Sequence, residues 1–251
     1  MTTLYIVATP IGNLEDISMR AIRILGEVDF VLCEDTRVTK KLLNHYNIGT
    51  YTISYHQHST DQKVGEILSL LEQGKNLALV TDAGTPGISD PGGRLVAAVI
   101  EQFGDDIKIE SVPGPSAVTA ALSISGIPAD KFVFFGFPPH KKGRQTFIKK
   151  IVESEYPVVV YESKHRIIKF LEELKDLANK KPSEIVDDDI PEYKKKGVVM
   201  EKKINLTSVV VCRELSKMHE TVYRGELDGI IEKIKANEND QRGEFVVIIG
   251  K

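Results

Sequence analysis

Two cysteines in 251 residues are too few for a disulfide framework. Cys33 and Cys212 each lie inside an apolar, strand-like run and read as buried structural thiols, with no zinc-ligand spacing around either. Charge of one sign is missing as well: 33 basic residues against 36 acidic ones leave a formal net charge of −3. The chain as a whole does not advertise a nucleic-acid partner, so any such contact must come from local patches. No apolar run approaches the roughly 20 residues needed to span a bilayer. The N-terminus lacks a signal-peptide pattern, and a cytosolic protein is expected. Nucleotide fingerprints are absent too. No G-x-G-x-x-G follows the first strand and no G-x-x-x-x-G-K-[ST] occurs, which disfavours an ordinary dinucleotide dehydrogenase or a P-loop NTPase.

What is present is an ordinary core-forming composition, 41% hydrophobic, which excludes disorder. Strand-like runs at Leu4–Ala8, Val28–Cys33, Tyr51–Tyr55, Leu77–Val80 and Ile107–Val112 alternate with helical patterns. The helices fall at about Asp16–Leu25, Thr36–Tyr46, Asp61–Leu71, Leu95–Ile100 and Ala117–Leu122. Such alternation predicts an α/β domain with a mostly parallel sheet. The pattern pauses near Gly126, giving an N-terminal α/β domain over 1–126 and a C-terminal α/β domain over 127–251. Residues 180–206 carry blocks of like charge and two prolines without a hydrophobic period, and read as an exposed insertion. No internal repeat is evident.

Three Gly/Pro turns each follow a first-half strand: Thr9-Pro10-Ile11-Gly12-Asn13, Ala83-Gly84-Thr85-Pro86-Gly87 and Pro113-Gly114-Pro115-Ser116. In a parallel sheet such turns gather at the carboxyl edge, where open α/β folds bind ligands. Proline stiffens the second loop, so it is shaped rather than slack. Asp90-Pro91 is expected to start the next helix, with Asp90 as cap and Pro91 at the first helical position. Together the turns predict a small polar ligand held largely by backbone groups.

These turns, together with Cys33-Glu34-Asp35-Thr36-Arg37, the run Asp82 to Gly92, Phe135-Gly136-Phe137-Pro138-Pro139, Tyr161-Glu162-Ser163-Lys164-His165-Arg166 and Arg213 to Glu220, closely resemble the tetrapyrrole-methylase-like methyltransferases. Within that superfamily they are most similar to the small-subunit ribosomal RNA cytidine 2′-O-methyltransferases (the methyltransferase I family). The resemblance runs from Leu4 to Ile249 apart from the insertion. It implies S-adenosylmethionine in a cleft between two α/β domains. It also implies methyl transfer to the ribose 2′-hydroxyl of a cytidine in the decoding region of 16S ribosomal RNA, free or in the 30S subunit, by a homodimer. Cofactor positions carried over are Pro10 and Ile11, then Ala83, Gly84, Thr85 and Pro86, then Ser116 and Ala117, with Leu215 and Glu162 from the second domain. Thr85 stands where corrin- and porphyrinogen-methylating relatives carry an acidic residue, which removes a charge beside the cofactor.

A general base for the hydroxyl proton must come within hydrogen-bond reach. Candidates in the matched motifs are Glu34, Asp35, Glu162, Glu214 and Lys217, each of which also suits a structural ion pair or a cap. For RNA, Arg37, Lys40 and Lys41 share a helix face at i, i+3, i+4 spacing. Lys141, Lys142 and Arg144 form a second basic cluster, and Lys164, His165 and Arg166 a third, suited to phosphates. His56-Gln57-His58 lacks further ligands, so no metal is expected. Two other readings remain open here, a tetrapyrrole methyltransferase and an RNA-binding module that has lost catalysis.

Overall fold

Five short apolar runs in the first half can pair only through helical crossovers, and they do so in one wholly parallel sheet. In the computed structural model, which describes residues 1–179 and 208–250, β1 (Thr3–Val7), β2 (Phe30–Cys33), β3 (Tyr51–Ser54), β4 (Leu77–Leu79) and β5 (Lys108–Val112) lie in the order β3-β2-β4-β1-β5. The chain divides into two compact units, Met1–Ala117 and Val118–Lys251.

Alternating side chains send residues to opposite faces of the first sheet. Val7, Val31, Cys33, Ala78 and Val80 pack with α1 (Met19–Glu27) and α2 (Thr36–His45). Leu4, Leu32, Leu77 and Leu79 pack with α3 (Asp61–Glu72) and α4 (Gly92–Phe103). Connections from β1 and from β4 therefore leave on opposite faces, although these strands are neighbours. That makes the β1/β4 boundary the topological switch point, the place where open α/β sheets hold ligands.

Two helix starts differ from the sequence reading. The segment at Asp16 is a single 3-10 turn, Leu14–Asp16, and α1 begins only after Ser18, whose Oγ accepts from Ala21 N at 3.1 Å. At α4 the cap position is Pro91 itself, one residue later than expected. Asp90 still serves that helix end, because its Oδ1 accepts from both Gly92 N and Gly87 N at 2.7 Å. The carboxylate ties the loop closed as well as capping the helix.

The second unit includes most of α5 (Ala117–Ser125), then β6 (Val133–Gly136), α6 (Arg144–Glu153), β7 (Val158–Ser163), α7 (Ile167–Asn179), β8 (Val209–Arg213), β9 (Thr221–Gly225), α8 (Leu227–Ala236) and β10 (Glu244–Ile249). Its sheet, in the order β6-β7-β10-β8-β9, is mixed. Only β6 and β7 pair in parallel; β10 runs antiparallel to both its neighbours. Because β10 reverses between β7 and β8, strands β6, β7 and β8 all end at the same edge. A core of Ile148, Phe170, Leu171, Leu174, Val211, Ile231 and Val247 lies under α6, α7 and α8. The charged stretch 180–206 lies outside the described residues. No helix among the described residues is long and apolar enough to cross a membrane.

Candidate functional site

At the switch point the turns after β1 and β4 are stitched together. Thr9 N donates to Gly84 O at 2.9 Å and Gly84 N returns a bond to Thr9 O at 3.0 Å. Thr9 Oγ1 adds a bond to Thr81 O at 3.0 Å. The turn after β5 joins through Thr85 Oγ1, which donates to Pro115 O at 3.3 Å. Gly84 has φ +87°, and a Cβ there would sit 3.6 Å from Ile11 Cγ2 and 3.8 Å from the Pro115 carbonyl. A Cβ would find ordinary contact there, so it is the left-handed backbone, which glycine adopts without strain, that lets the three turns converge. Pro10, Ile11, Gly84 and Pro86 are buried, Thr85, Ser116 and Ala117 half-buried, and Ala83 exposed. All eight first-unit residues expected to meet a cofactor thus lie along one sheet edge, on three cross-linked turns.

The carboxylates after β2 have different surroundings. Asp35 caps α2, its Oδ1 accepting from Arg37 N at 2.8 Å, and pairs with the Arg37 guanidinium at 2.7 Å. Those bonds pull its pKa down to about 2, which makes it a weak proton acceptor at neutral pH. Asp82, which the sequence reading did not single out, accepts from Asp35 N at 3.2 Å and links the β2 and β4 loops. Glu34 is half-buried, and burial, with the nearby charges of Asp90 and Asp82, pushes its pKa up. Glu34 also lines a hollow of about 530 Å³ with His56, Gln57, His58, Ser89, Asp90 and Pro91. This hollow, after β2, β3 and β4, was not anticipated from the sequence. The available signal was that His56-Gln57-His58 follows a strand end just as the three turns do. Among the described residues no group of three or more His, Cys, Asp or Glu is placed to hold a metal. Arg37, Lys40 and Lys41 are exposed on α2.

In the second unit the candidates collect where β6, β7 and β8 end. Glu162 is only 1% exposed. Its Oε1 accepts from Ser163 N at 2.7 Å and pairs with Arg166 Nη2 at 2.8 Å, while Arg144 Nη1 lies 3.7 Å from Oε2. Arg144 is itself buried and turns inward to Glu173 at 2.7 Å and to the Pro139 carbonyl at 3.2 Å. Arg166 donates to Pro138 O at 3.0 Å. These arginines therefore brace the loop after β6 from beneath, and Lys141, Lys142, Lys164 and His165 are the exposed members of the two clusters. Removing Glu162 would take away the carboxylate partner of half-buried Arg166, while Arg144 would keep Glu173.

Past β8, Glu214 and Ser216 are both left-handed, at φ +51° and +63°, a conformation that non-glycine residues hold only when their surroundings impose it. Glu214 Oε1 accepts from Lys217 Nζ and from Glu244 N, both at 2.9 Å, and Lys217 reaches Glu244 at 2.8 Å. Gly243 makes room, since a Cβ there would meet the Glu214 carboxylate at 2.6 Å. Leu215 is held buried between these two residues.

A model of the Tetrapyrrole (Corrin/Porphyrin) Methylases matches residues 3–231. A ribosomal RNA small subunit methyltransferase I of Hydrogenobaculum sp. is 40% identical over 250 residues, covering 99% of this chain and 95% of its own. The protein of the same description from Synechocystis sp. is 40% identical over 250 residues, covering 99% of this chain and 79% of its own. Among solved structures, a cobalt precorrin-4 methyltransferase shares the fold, with a TM-score of 0.64 at 17% identity over 99% of this chain and 94% of that one.

Proposed function

This chain belongs to the ribosomal RNA small subunit methyltransferase I family of the tetrapyrrole methylases, and from that premise we propose how its residues perform the reaction. The reaction is S-adenosylmethionine-dependent 2′-O-methylation of a cytidine in 16S ribosomal RNA. The observation that carries the reading is the convergence of three Gly/Pro turns on the switch point, locked by the Thr9–Gly84 pair. The residues there fit the cofactor: backbone groups and the hydroxyls of Thr85 and Ser116 dominate, and the left-handed turn at Gly84, φ +87°, brings the main chain in beside Ile11 and Pro115. Thr85 offers a neutral hydroxyl, so this turn brings no charge of its own to the cofactor.

When bound, S-adenosylmethionine supplies a methyl group already activated by its sulfonium. What remains for the protein is alignment of the ribose oxygen, and fixed geometry can supply much of the rate. Pro10, Ile11, Ala83, Gly84, Thr85, Pro86, Ser116 and Ala117 form the cofactor cradle of the first unit. Glu162 holds Arg144 and Arg166 in place and so shapes the loops that carry Lys141, Lys142 and Lys164. Those lysines, with Arg37, Lys40 and Lys41, meet RNA phosphates, and their contribution falls with salt. The reading places the protein in the cytoplasm, with its substrate.

Calorimetry tests the cofactor site directly. Wild-type protein binds S-adenosylmethionine, and Gly84→Val, which adds bulk at a left-handed position, weakens binding at least tenfold while the protein stays folded. Unchanged affinity in that variant overturns the assignment of the three turns. We also infer a homodimer, from the family resemblance; a single-chain mass by light scattering at micromolar concentration would contradict it.

A further inference from the structure

The hollow beside the cofactor turns is built, acidic and without an assigned role. Its walls come from three strand ends: Glu34 after β2, His56, Gln57 and His58 after β3, and Asp90 from the long loop after β4. The β3 loop is braced. His56 N donates to Ser59 Oγ at 2.9 Å, His58 N donates to His56 Nδ1 at 3.2 Å, and Arg94 Nη1 holds the Ser59 carbonyl at 3.0 Å. At about 530 Å³ the hollow lies within the roughly 300–1,000 Å³ range of small-ligand sites.

Its chemistry narrows the occupant. Two carboxylates and no lysine or arginine line it, which disfavours a phosphate. Asp90 Oδ1 is used up on Gly87 N and Gly92 N, while Oδ2 is buried with no partner among the described residues. Burial and the neighbouring negative charges raise the Glu34 pKa, so this site favours a ligand that brings hydrogen-bond donors. A base edge with an exocyclic amine provides one, and acidic side chains accept from the cytosine amine in known readout. Uracil presents a carbonyl at that position. Gln57 and the histidines can supply donors for the remaining ring acceptors.

Placement agrees. The hollow spans the β3-β2-β4 side of the edge, and the cofactor turns occupy the β4-β1-β5 side. With strands about 4.8 Å apart, the two lie one to two spacings from each other, about 5–10 Å. A nucleoside with its base in the hollow can then reach the switch point with its ribose.

We propose that this hollow reads the base of the target nucleotide, with Glu34 accepting from the cytosine amine and Gln57 contacting the ring. The assignment rests on the reading of the chain as a cytidine 2′-O-methyltransferase. The test uses undermethylated small ribosomal subunits carrying either cytidine or, by mutation of the ribosomal RNA, uridine at the target position. Wild-type, Glu34→Gln and Gln57→Ala proteins are compared for kcat, KM and cofactor Kd. Wild type is expected to prefer cytidine at least tenfold in kcat/KM. Glu34→Gln, whose amide can donate as well as accept, narrows that preference at least fivefold with cofactor Kd unchanged within twofold. Gln57→Ala, on an exposed loop, raises KM for cytidine subunits at least fivefold with kcat within twofold. An unaltered cytidine preference in folded Glu34→Gln together with unaltered KM in Gln57→Ala overturns the proposal. So does complete loss of turnover in Glu34→Gln at unchanged KM, which would make Glu34 the proton acceptor instead. Wild type that methylates both subunits equally removes the base reader but leaves the activity standing. Wild type that methylates neither removes the activity, and the base reader with it.

Discussion

Lys217 sits between two carboxylates, and the cluster works only in a defined pH window. Burial alone would raise the Glu214 pKa, but the Lys217 ammonium and the Glu244 N–H outweigh it and bring it below 4.5. Burial alone would lower Lys217, but Glu244 and Glu214 raise it above 10.5. The stabilisation from Glu214 is therefore present above pH 4.5 and is lost as pH falls through its lowered folded value. That from Lys217 is present below pH 10.5 and is lost as pH rises through its raised one. Lys217→Met is expected to destabilise the protein at neutral pH, measured by urea unfolding. The gap from wild type should shrink as the pH drops through about 4 and below. A gap of the same size at about pH 2 contradicts the ion-pair account. This cluster braces left-handed Glu214, while left-handed Ser216 donates its N–H to Glu220 Oε2 at 2.7 Å, and neither conformation is readable from the string Arg213-Glu214-Leu215-Ser216.

At the scale of elements, two adjacent glycines at the start of α4 differ sharply. A Cβ on Gly92 would meet Gly87 N at 2.8 Å, Asp90 Oδ1 at 2.9 Å and Leu79 Cδ2 at 3.2 Å, whereas one on Gly93 would meet nothing within 4 Å. Gly92→Ala is expected to destabilise by about 1–3 kcal/mol, as overpacking does. Gly93→Ala should be neutral or stabilising by up to about 1 kcal/mol through helix propensity. Thermal unfolding of the two variants checks the contrast, and equal shifts would show that the loop after β4 is not packed as described. Most strands and helices were legible because apolar periodicity and tight turns decide them locally. The side-chain caps of α2 and α3 left their starts legible at Thr36 and Asp61, whereas the starts of α1 and α4 were not. Ser18 rather than Asp16 opens α1, because only the serine hydroxyl reaches Ala21 N. Asp90 serves two amides across its loop, which spacing alone cannot tell from a simple cap.

At the scale of the molecule, the shared edge of the three turns follows from parallel strand order, so the candidate cradle of the first unit was legible in the amino-acid sequence. The second unit was harder. Reversal of β10 brings the ends of β6, β7 and β8 to one edge, and nothing local in Glu244–Ile249 states its direction. Arg144 and Arg166 read as surface cations beside Lys141 and Lys164, yet they fold inward onto Glu162 and Glu173. Charge runs do not show which members will find a buried carboxylate. The match of long, ordered motifs supplied the reaction; physical spacing supplied only a cradle at a sheet edge.

The most direct test of the whole account is mass-spectrometric mapping of small-subunit RNA after reaction of undermethylated subunits with this protein and S-adenosylmethionine. One added methyl on the ribose 2′-oxygen of a single cytidine is the predicted result. A methyl on a base, or none on the RNA despite tight cofactor binding, would contradict it.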